Sequence, residues 1–135
     1  MAASVIVDAG FIVALLSRRD NHHTWARDTA GRFPPPWRTC EAVVSETVHL
    51  LGARRASPVH ALLRRRSLML AFDLARELEP VLRLLEKYAD VPMSLADSCL
   101  VRMTEVDSEP MVLTTDSDFK IYRRHSRQVV PCAMP

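Results

Sequence analysis

Short apolar runs alternate with longer amphipathic stretches along the chain. The apolar runs, at residues 4–7, 37–40, 67–72, 111–114 and 128–130, predict strands. Residues 11–16, 20–31, 41–51, 57–66, 77–88 and 94–106 carry the period of helices. Strands that are apolar throughout are typical of parallel sheets covered on both faces. Because no two-residue hairpin turn joins the strands, we predict an α/β fold: a three-layer α/β/α sandwich with a mostly parallel central sheet.

Composition narrows the class of protein. With 135 residues, of which 48% are hydrophobic and 25% charged, the chain fits a single domain over residues 1–135 with a full core. Its cysteines, Cys40, Cys99 and Cys132, are odd in number and far apart, which argues against a disulfide framework and favours a cytoplasmic protein. We expect no signal peptide and no membrane partner, because no apolar stretch is long enough to span a bilayer.

Two acidic residues follow the ends of apolar strands. Asp8 follows the first strand, and Asp116 follows the fourth, with Asp118 two residues later. Open parallel sheets bind ligands at the carboxyl ends of their strands, so both positions are candidates for a functional site. An equally good interpretation of Asp8 is a helix cap, and Asp116 also fits a polar turn with a cap.

Two further acids lie on the apolar sides of predicted helices. Glu46 shares a helix face with apolar residues and is expected to be buried, with a salt bridge to Arg54 or Arg55 as the alternative. Asp97 follows Ser94 at nearly the spacing of a capping box, which is its structural interpretation. A carboxylate held at a helix start can serve both as cap and as ligand.

The four acids together indicate more than each one alone. Parallel-sheet topology brings strand ends and helix starts to one edge, where like carboxylates repel each other unless a cation neutralises them. Ligands that are all oxygen favour Mg²⁺ or Mn²⁺ over zinc. Such a metal activates water for attack on a phosphodiester, so the pattern predicts a metal-dependent phosphodiesterase.

In the order and spacing of these four acids, the chain resembles the PIN-domain nucleases. Their pattern places one acid after the first strand, one in a mid-chain helix, one at the start of a later helix and one in a T-x-D turn after the fourth strand. The matching segments here are Val5-Ile6-Val7-Asp8, Val43-Val44-Ser45-Glu46, Ser94-Leu95-Ala96-Asp97 and Leu113-Thr114-Thr115-Asp116-Ser117-Asp118-Phe119. Asp116 keeps the T-x-D spacing and is preferred to Asp118, while Ser94 and Thr114 are candidate supporting hydroxyls.

The resemblance implies a function and partners. It implies a metal-dependent endoribonuclease in which Asp8, Glu46, Asp97 and Asp116 are catalytic and bind Mg²⁺ or Mn²⁺. Many bacterial members of this size resemble VapC-type toxins, which implies an RNA substrate, a homodimer and a small inhibitory antitoxin. The alternative is a catalytically silent PIN fold that binds RNA or protein. Basic pairs are weak candidates for RNA contacts, since such clusters are more often solvated: Arg54, Arg55, Arg123 and Arg124.

Overall fold

The structure is a computed structural model that describes residues 3–135. Its α-helices are α1 (Ala9–Leu16), α2 (His23–Arg32), α3 (Glu41–Leu51), α4 (Ser57–Arg64), α5 (Leu78–Lys87) and α6 (Leu95–Val106). Its strands are β1 (Ser4–Val7), β2 (Trp37–Thr39), β3 (Leu68–Leu70), β4 (Pro110–Leu113), β5 (Arg123–Arg124), β6 (Gln128–Val129) and β7 (Cys132–Ala133). Short 3-10 turns occupy Ala53–Arg55 and Ser117–Lys120. Across residues 3–135, every helix is too short or too polar to cross a bilayer.

Five strands form one parallel sheet in the order β3-β2-β1-β4-β7. The chain builds one half of the sheet outward from β1 through β2 to β3, and the other half outward through β4 to β7. The strand order therefore reverses between β1 and β4, which is where open α/β sheets form their binding crevice. Val7 pairs with Leu113, so both strands end side by side and the residues that follow them are neighbours.

The central strands are buried because helices flank the sheet, as predicted for a three-layer α/β/α sandwich. Ile6 and Val7 of β1 and Val112 and Leu113 of β4 have no exposed surface. Burial of side chains of this size contributes about 1.5–3 kcal/mol each. A sheet edge built on such strands is a rigid base for the residues that come directly after them.

The C-terminal part differs from the prediction. We expected a last strand at residues 128–130, but Gln128–Val129 pairs antiparallel with Arg123–Arg124 in a separate two-stranded hairpin. His125 and Ser126 turn this hairpin with positive φ angles of 49° and 68°. The fifth strand of the main sheet is instead Cys132–Ala133, which pairs with β4. Two-residue strands carry too little hydrophobic pattern to be recognised in the sequence.

Candidate active site

Asp8 lies at the carboxyl end of β1, next to the end of β4. Its backbone N–H donates to the Leu113 carbonyl at 3.0 Å, which continues the strand register by one residue. The Asp8 carboxylate accepts a hydrogen bond from the Ala9 N–H at 2.7 Å through Oδ1 and one from the Thr114 hydroxyl at 2.6 Å through Oδ2. Asp8 is only 5% exposed. It therefore caps α1, as one interpretation of the sequence expected, while being held rigidly at the site.

Asp97 is placed by the capping box that the sequence predicted. The Ser94 hydroxyl accepts from the Asp97 N–H at 3.0 Å, and the Ser94 N–H donates to Asp97 Oδ2 at 3.2 Å. The hydroxyl of the buried Tyr122 donates to the same oxygen at 3.0 Å. Since no residue in the 3–135 region donates to Oδ1, this oxygen of a buried carboxylate remains available for a ligand.

Asp116 follows β4 and joins the same network through Thr114. Its backbone N–H donates to the Thr114 hydroxyl at 3.0 Å, so Thr114 connects Asp8 to the turn that carries Asp116. Asp116 Oδ1 caps the 3-10 turn by accepting from the Asp118 N–H at 2.9 Å. Asp116 contributes to the raised pKa values of Glu46 and Asp97, whereas Asp118 contributes to that of Tyr122. This favours Asp116 as the fourth acid of the site.

The expectation that Glu46 is buried is wrong. Glu46 is an exposed residue of α3, and it forms no ion pair with any side chain of the described region, Arg54 and Arg55 included. The surface of α3 around Glu46 stays open, as the 55% exposure of Leu50 shows. The apolar face that the helical wheel gives to α3 around Glu46 is therefore an open surface and not a packed one.

Glu46 nevertheless interacts electrostatically with the other acids of the site. Partial desolvation raises the pKa of Glu46 above its ordinary value, and the negative charges of Asp97 and Asp116 add to the rise. The pKa of Asp97 is raised by burial and by Asp116, against the effect of its hydrogen bonds from Ser94 and Tyr122. Each of the four acids thus interacts with at least two others.

Asp8 carries the largest electrostatic penalty of the four. Burial raises the pKa of Asp8 from 3.8 to about 7, with smaller contributions from Asp97 and Glu46, although hydrogen bonds from Thr114 and Ala9 oppose the rise. Such a shift corresponds to about 4 kcal/mol at 1.36 kcal/mol per unit. A helix cap contributes only about 1 kcal/mol, and Asn or Ser caps equally well. Capping therefore does not account for a carboxylate at this position.

The four carboxylates suit a divalent cation, although their oxygens are not close enough together in the structure to coordinate one. Across residues 3–135, no three His, Cys, Asp or Glu side chains lie close enough together to hold a metal ion. Three carboxylates, however, keep oxygens to which no residue of that region donates: both oxygens of Glu46, Oδ1 of Asp97 and Oδ2 of Asp116. Carboxylate oxygens are the ligands that Mg²⁺ and Mn²⁺ prefer, and each Asp8 oxygen keeps a second lone pair beside its one hydrogen bond.

Comparison with known proteins shows the family of the chain. The sequence profile of the PIN domain matches residues 5–124, a range that covers most of the chain and includes the positions of the four acids. The chain belongs to the PIN-domain family. Among solved structures, it is similar to the crystal structure of VapC20 of Mycobacterium tuberculosis, described as a toxin that cleaves the sarcin-ricin loop. The two share 23% identity with a TM-score of 0.78, over 87% of this chain and 94% of that one. No curated protein matches the chain in sequence.

Tyr122 is a residue of this PIN-domain site that the sequence analysis missed. It has no exposed surface, and its ring contacts Phe119 and Tyr88 edge-on with centroids 5.2 Å apart. Burial and the charge of Asp97 raise the pKa of Tyr122, so the phenol stays protonated and donates to Asp97. The contact joins residues 25 positions apart, and a tyrosine six residues after the aspartate of the T-x-D turn is a weak signal.

The four arginines named as RNA contacts fall into two classes in this PIN domain. Guanidinium groups of Arg123 and Arg124 donate to backbone carbonyls, Arg123 at Lys120, Ile121 and Tyr122 and Arg124 at Thr104 and Asp107. Arg124 thereby holds the C-terminal hairpin to the end of α6, while the bonds of Arg123 all come from Nη1 and stay within residues 120–123. Arg54 and Arg55 are exposed and have no ion pair to any described residue.

Gly10 allows α1 to lie close to the turn that follows β4. It is the second residue of α1, and a Cβ atom there would lie 2.0 Å from the Thr115 Oγ1 and 3.3 Å from its Cβ. We expect Gly10→Ala to lower the free energy of unfolding by about 1–3 kcal/mol, the usual effect of overpacking. Urea denaturation followed by circular dichroism measures the change.

The matched control is Gly31→Ala in α2. A Cβ at Gly31 meets no atom within 4 Å, so alanine there gains helix propensity, up to about 1 kcal/mol, without a clash. The two substitutions should therefore shift stability in opposite directions. A stabilising Gly10→Ala would show that α1 and the turn at Thr115 do not pack as closely as the structure has them.

Proposed function

We propose that the protein is a divalent-metal-dependent endoribonuclease that acts in the cytoplasm as the toxin of a toxin–antitoxin pair. The observation that carries the proposal is the pair of buried carboxylates, Asp8 and Asp97, which face Glu46 and Asp116 with no cationic side chain of the described region beside them. Membership of the PIN-domain family and the fold shared with a sarcin-ricin loop cleaving toxin support the same reading.

The proposed metal ligands are Asp8, Glu46, Asp97 and Asp116. The first and third are fixed by Thr114 and Tyr122, while Glu46 and Asp116 are less buried. A bound Mg²⁺ or Mn²⁺ supplies Lewis-acid activation of water and of the phosphoryl oxygen. The chain's residues keep two carboxylates rigid, exclude water around Asp8 and orient Asp97 through the phenol of Tyr122.

A cleavage assay tests the proposal. End-labelled single-stranded RNA is incubated with the protein in Mn²⁺, in Mg²⁺ and in EDTA, and the products are mapped on a sequencing gel. We expect internal cuts with either metal and none in EDTA. A catalytically silent PIN fold would bind the RNA and leave it intact under all three conditions, which would reject the nuclease assignment.

Association into a homodimer is part of the proposal. Several large apolar side chains of residues 3–135 are exposed, among them Val129 at 63%, Val106 at 58% and Leu70 at 52%. The proposal of a dimer rests mainly on the resemblance to VapC-type toxins, and these side chains are apolar surface that an interface between two copies can cover. Light scattering after size-exclusion chromatography is expected to give twice the mass of 15.3 kDa at micromolar concentration. A monomer over the whole concentration range would contradict this.

The antitoxin is expected to be a small protein encoded beside this chain. Its binding should suppress RNA cleavage, because VapC-type toxins are held inactive in such pairs. Co-expression of the neighbouring short reading frame, followed by the cleavage assay on the purified complex, tests this part. An unaffected cleavage rate in a stable complex would separate the ribonuclease from the toxin assignment.

A further inference from the structure

An open cleft of about 460 Å³ lies where the C-terminal ends of α1 and α3 come together. Its charged lining consists of four arginines, Arg18, Arg19, Arg54 and Arg55, and no acidic residue lines it. All four are exposed, and none forms an ion pair with another side chain of residues 3–135. The cleft therefore concentrates positive charge that the protein itself does not neutralise.

Helix ends explain part of this arrangement but not all of it. A cation at a helix C-terminus gains about 0.3–1 kcal/mol from the helix dipole, which favours arginine after α1 and after α3 separately. It does not favour the convergence of both pairs on one cleft, because four like charges repel each other. Several guanidinium groups around one cavity are typical of sites for phosphate, which they bind through paired N–H donors.

The cleft is connected to the acid site by two helices. α1 starts next to Asp8 and reaches the cleft eight residues later, about 12 Å at 1.5 Å per residue. On α3, Glu46 and Leu50 are four residues apart and both exposed, and the helix ends at Gly52, two residues before Arg54. The distance along α1 corresponds to roughly three to four stacked nucleotides at about 3.4 Å each.

We propose that this arginine cleft binds backbone phosphates of the RNA substrate, three to four nucleotides away from the phosphodiester that is cut. The inference rests on the proposed function as a ribonuclease. Four carboxylates at the reacting centre repel a polyanion, so the attraction that holds RNA has to come from cations elsewhere on its path. The other named pair, Arg123 and Arg124, is engaged with backbone carbonyls, which leaves the arginine cleft as the stronger candidate.

The test measures binding and not cleavage. A fluorescein-labelled 20-nucleotide single-stranded RNA is titrated with the protein in EDTA, and anisotropy gives the affinity at several KCl concentrations. The variants are Arg54→Gln/Arg55→Gln and Arg18→Gln/Arg19→Gln. The matched control is Arg64→Gln/Arg65→Gln, which removes the same charge from an exposed pair outside the cleft. Near-identical melting temperatures verify that all three variants fold.

We expect each cleft variant to weaken RNA binding about tenfold at 100 mM KCl, while the control changes it less than twofold. The slope of log affinity against log salt should fall by about 0.7 for each lost phosphate contact, hence by about 1.4 for each cleft pair. Equal losses in cleft and control variants would show that only overall charge matters, and would overturn the proposal. Unchanged RNA affinity with lost binding of a polyglutamate peptide would overturn it in favour of an acidic protein partner.

The binding and cleavage experiments distinguish a failure of the arginine cleft from a failure of the nuclease assignment. Wild-type protein that binds RNA through the cleft but does not cut it in Mn²⁺ contradicts the proposed function and leaves the cleft in place. Cleavage at the wild-type rate by both cleft variants, with unchanged affinity, contradicts the cleft and leaves the proposed function in place.

Discussion

Asp97→Asn is expected to reduce metal-dependent RNA cleavage at least a hundredfold. Losing even a residue that only supports a metal ligand typically costs 10–100-fold, so losing the charge of a ligand should exceed that. The amide keeps an oxygen that can accept from the Ser94 N–H and the Tyr122 hydroxyl, so α6 stays capped. The expected result is therefore an inactive protein with an unchanged fold, read out as initial rates in Mn²⁺.

The control for this substitution is Asp90→Asn, an exposed aspartate that forms no ion pair with any residue of the described region. It makes the same change of charge outside the site and should leave the cleavage rate within twofold of wild type. Wild-type activity in Asp97→Asn would remove Asp97 from the catalytic site, whatever the control does.

Asp8→Asn is expected to stabilise the metal-free protein at pH 8 by about 2–3 kcal/mol. The buried Asp8 has a pKa of about 7 in the folded protein and 3.8 as its ordinary value. Ionising it when folded costs about 4 kcal/mol by this shift. Asparagine removes that cost but offers one acceptor oxygen where Asp8 offers two, to Ala9 and to Thr114, and one lost hydrogen bond subtracts about 1 kcal/mol.

The stabilisation of Asp8→Asn relative to wild type should increase as the pH rises. Between pH 4 and pH 7 the folded protein binds a proton at Asp8 that the unfolded chain has released. The wild-type free energy of unfolding therefore falls as the pH rises through this window, and the asparagine variant lacks this contribution. Thermal melting in EDTA is expected to show Asp8→Asn above wild type at pH 8 and no longer above it near pH 4.5.

Added Mn²⁺ should reverse the order of the two melting temperatures, so that wild type melts above Asp8→Asn. Mn²⁺ stabilises the folded state of wild type in proportion to the logarithm of its concentration above the dissociation constant, and Asp8→Asn less because one ligand is missing. If Asp8→Asn melts well below wild type at pH 8 in EDTA, Asp8 acts only as a cap and as the partner of Thr114. The shared-metal account would then lose its first ligand.

Local signals were sufficient for most of the fold and for part of the site. β1 with Asp8, and Ser94 with Asp97, each depend on residues within a few positions of one another, and the structure has both as predicted. The parallel order followed from the lack of hairpin turns between the long elements. That Asp8 and Asp116 share one edge followed from topology, because β1 and β4 are neighbours in register.

The sequence could not supply contacts between distant residues. The hydrogen bond from Tyr122 to Asp97 depends on how the segment after β4 folds back, and no periodic pattern encodes it. The wheel of α3 placed Glu46 among apolar residues but could not show that this face stays open. The approach of Arg18 and Arg19 to Arg54 and Arg55 likewise exists only once α1 and α3 have packed.

Direct binding of Mn²⁺ tests the central claim, that four carboxylates share one divalent-metal site. Electron paramagnetic resonance gives the free Mn²⁺ in titrations of wild type, of Asp8→Asn, Glu46→Gln, Asp97→Asn and Asp116→Asn, and of the control Asp90→Asn. We expect each site variant to weaken Mn²⁺ binding at least tenfold and Asp90→Asn to bind as wild type does. Wild-type affinity in all four site variants would contradict the account, because the acids would then not be the metal's ligands.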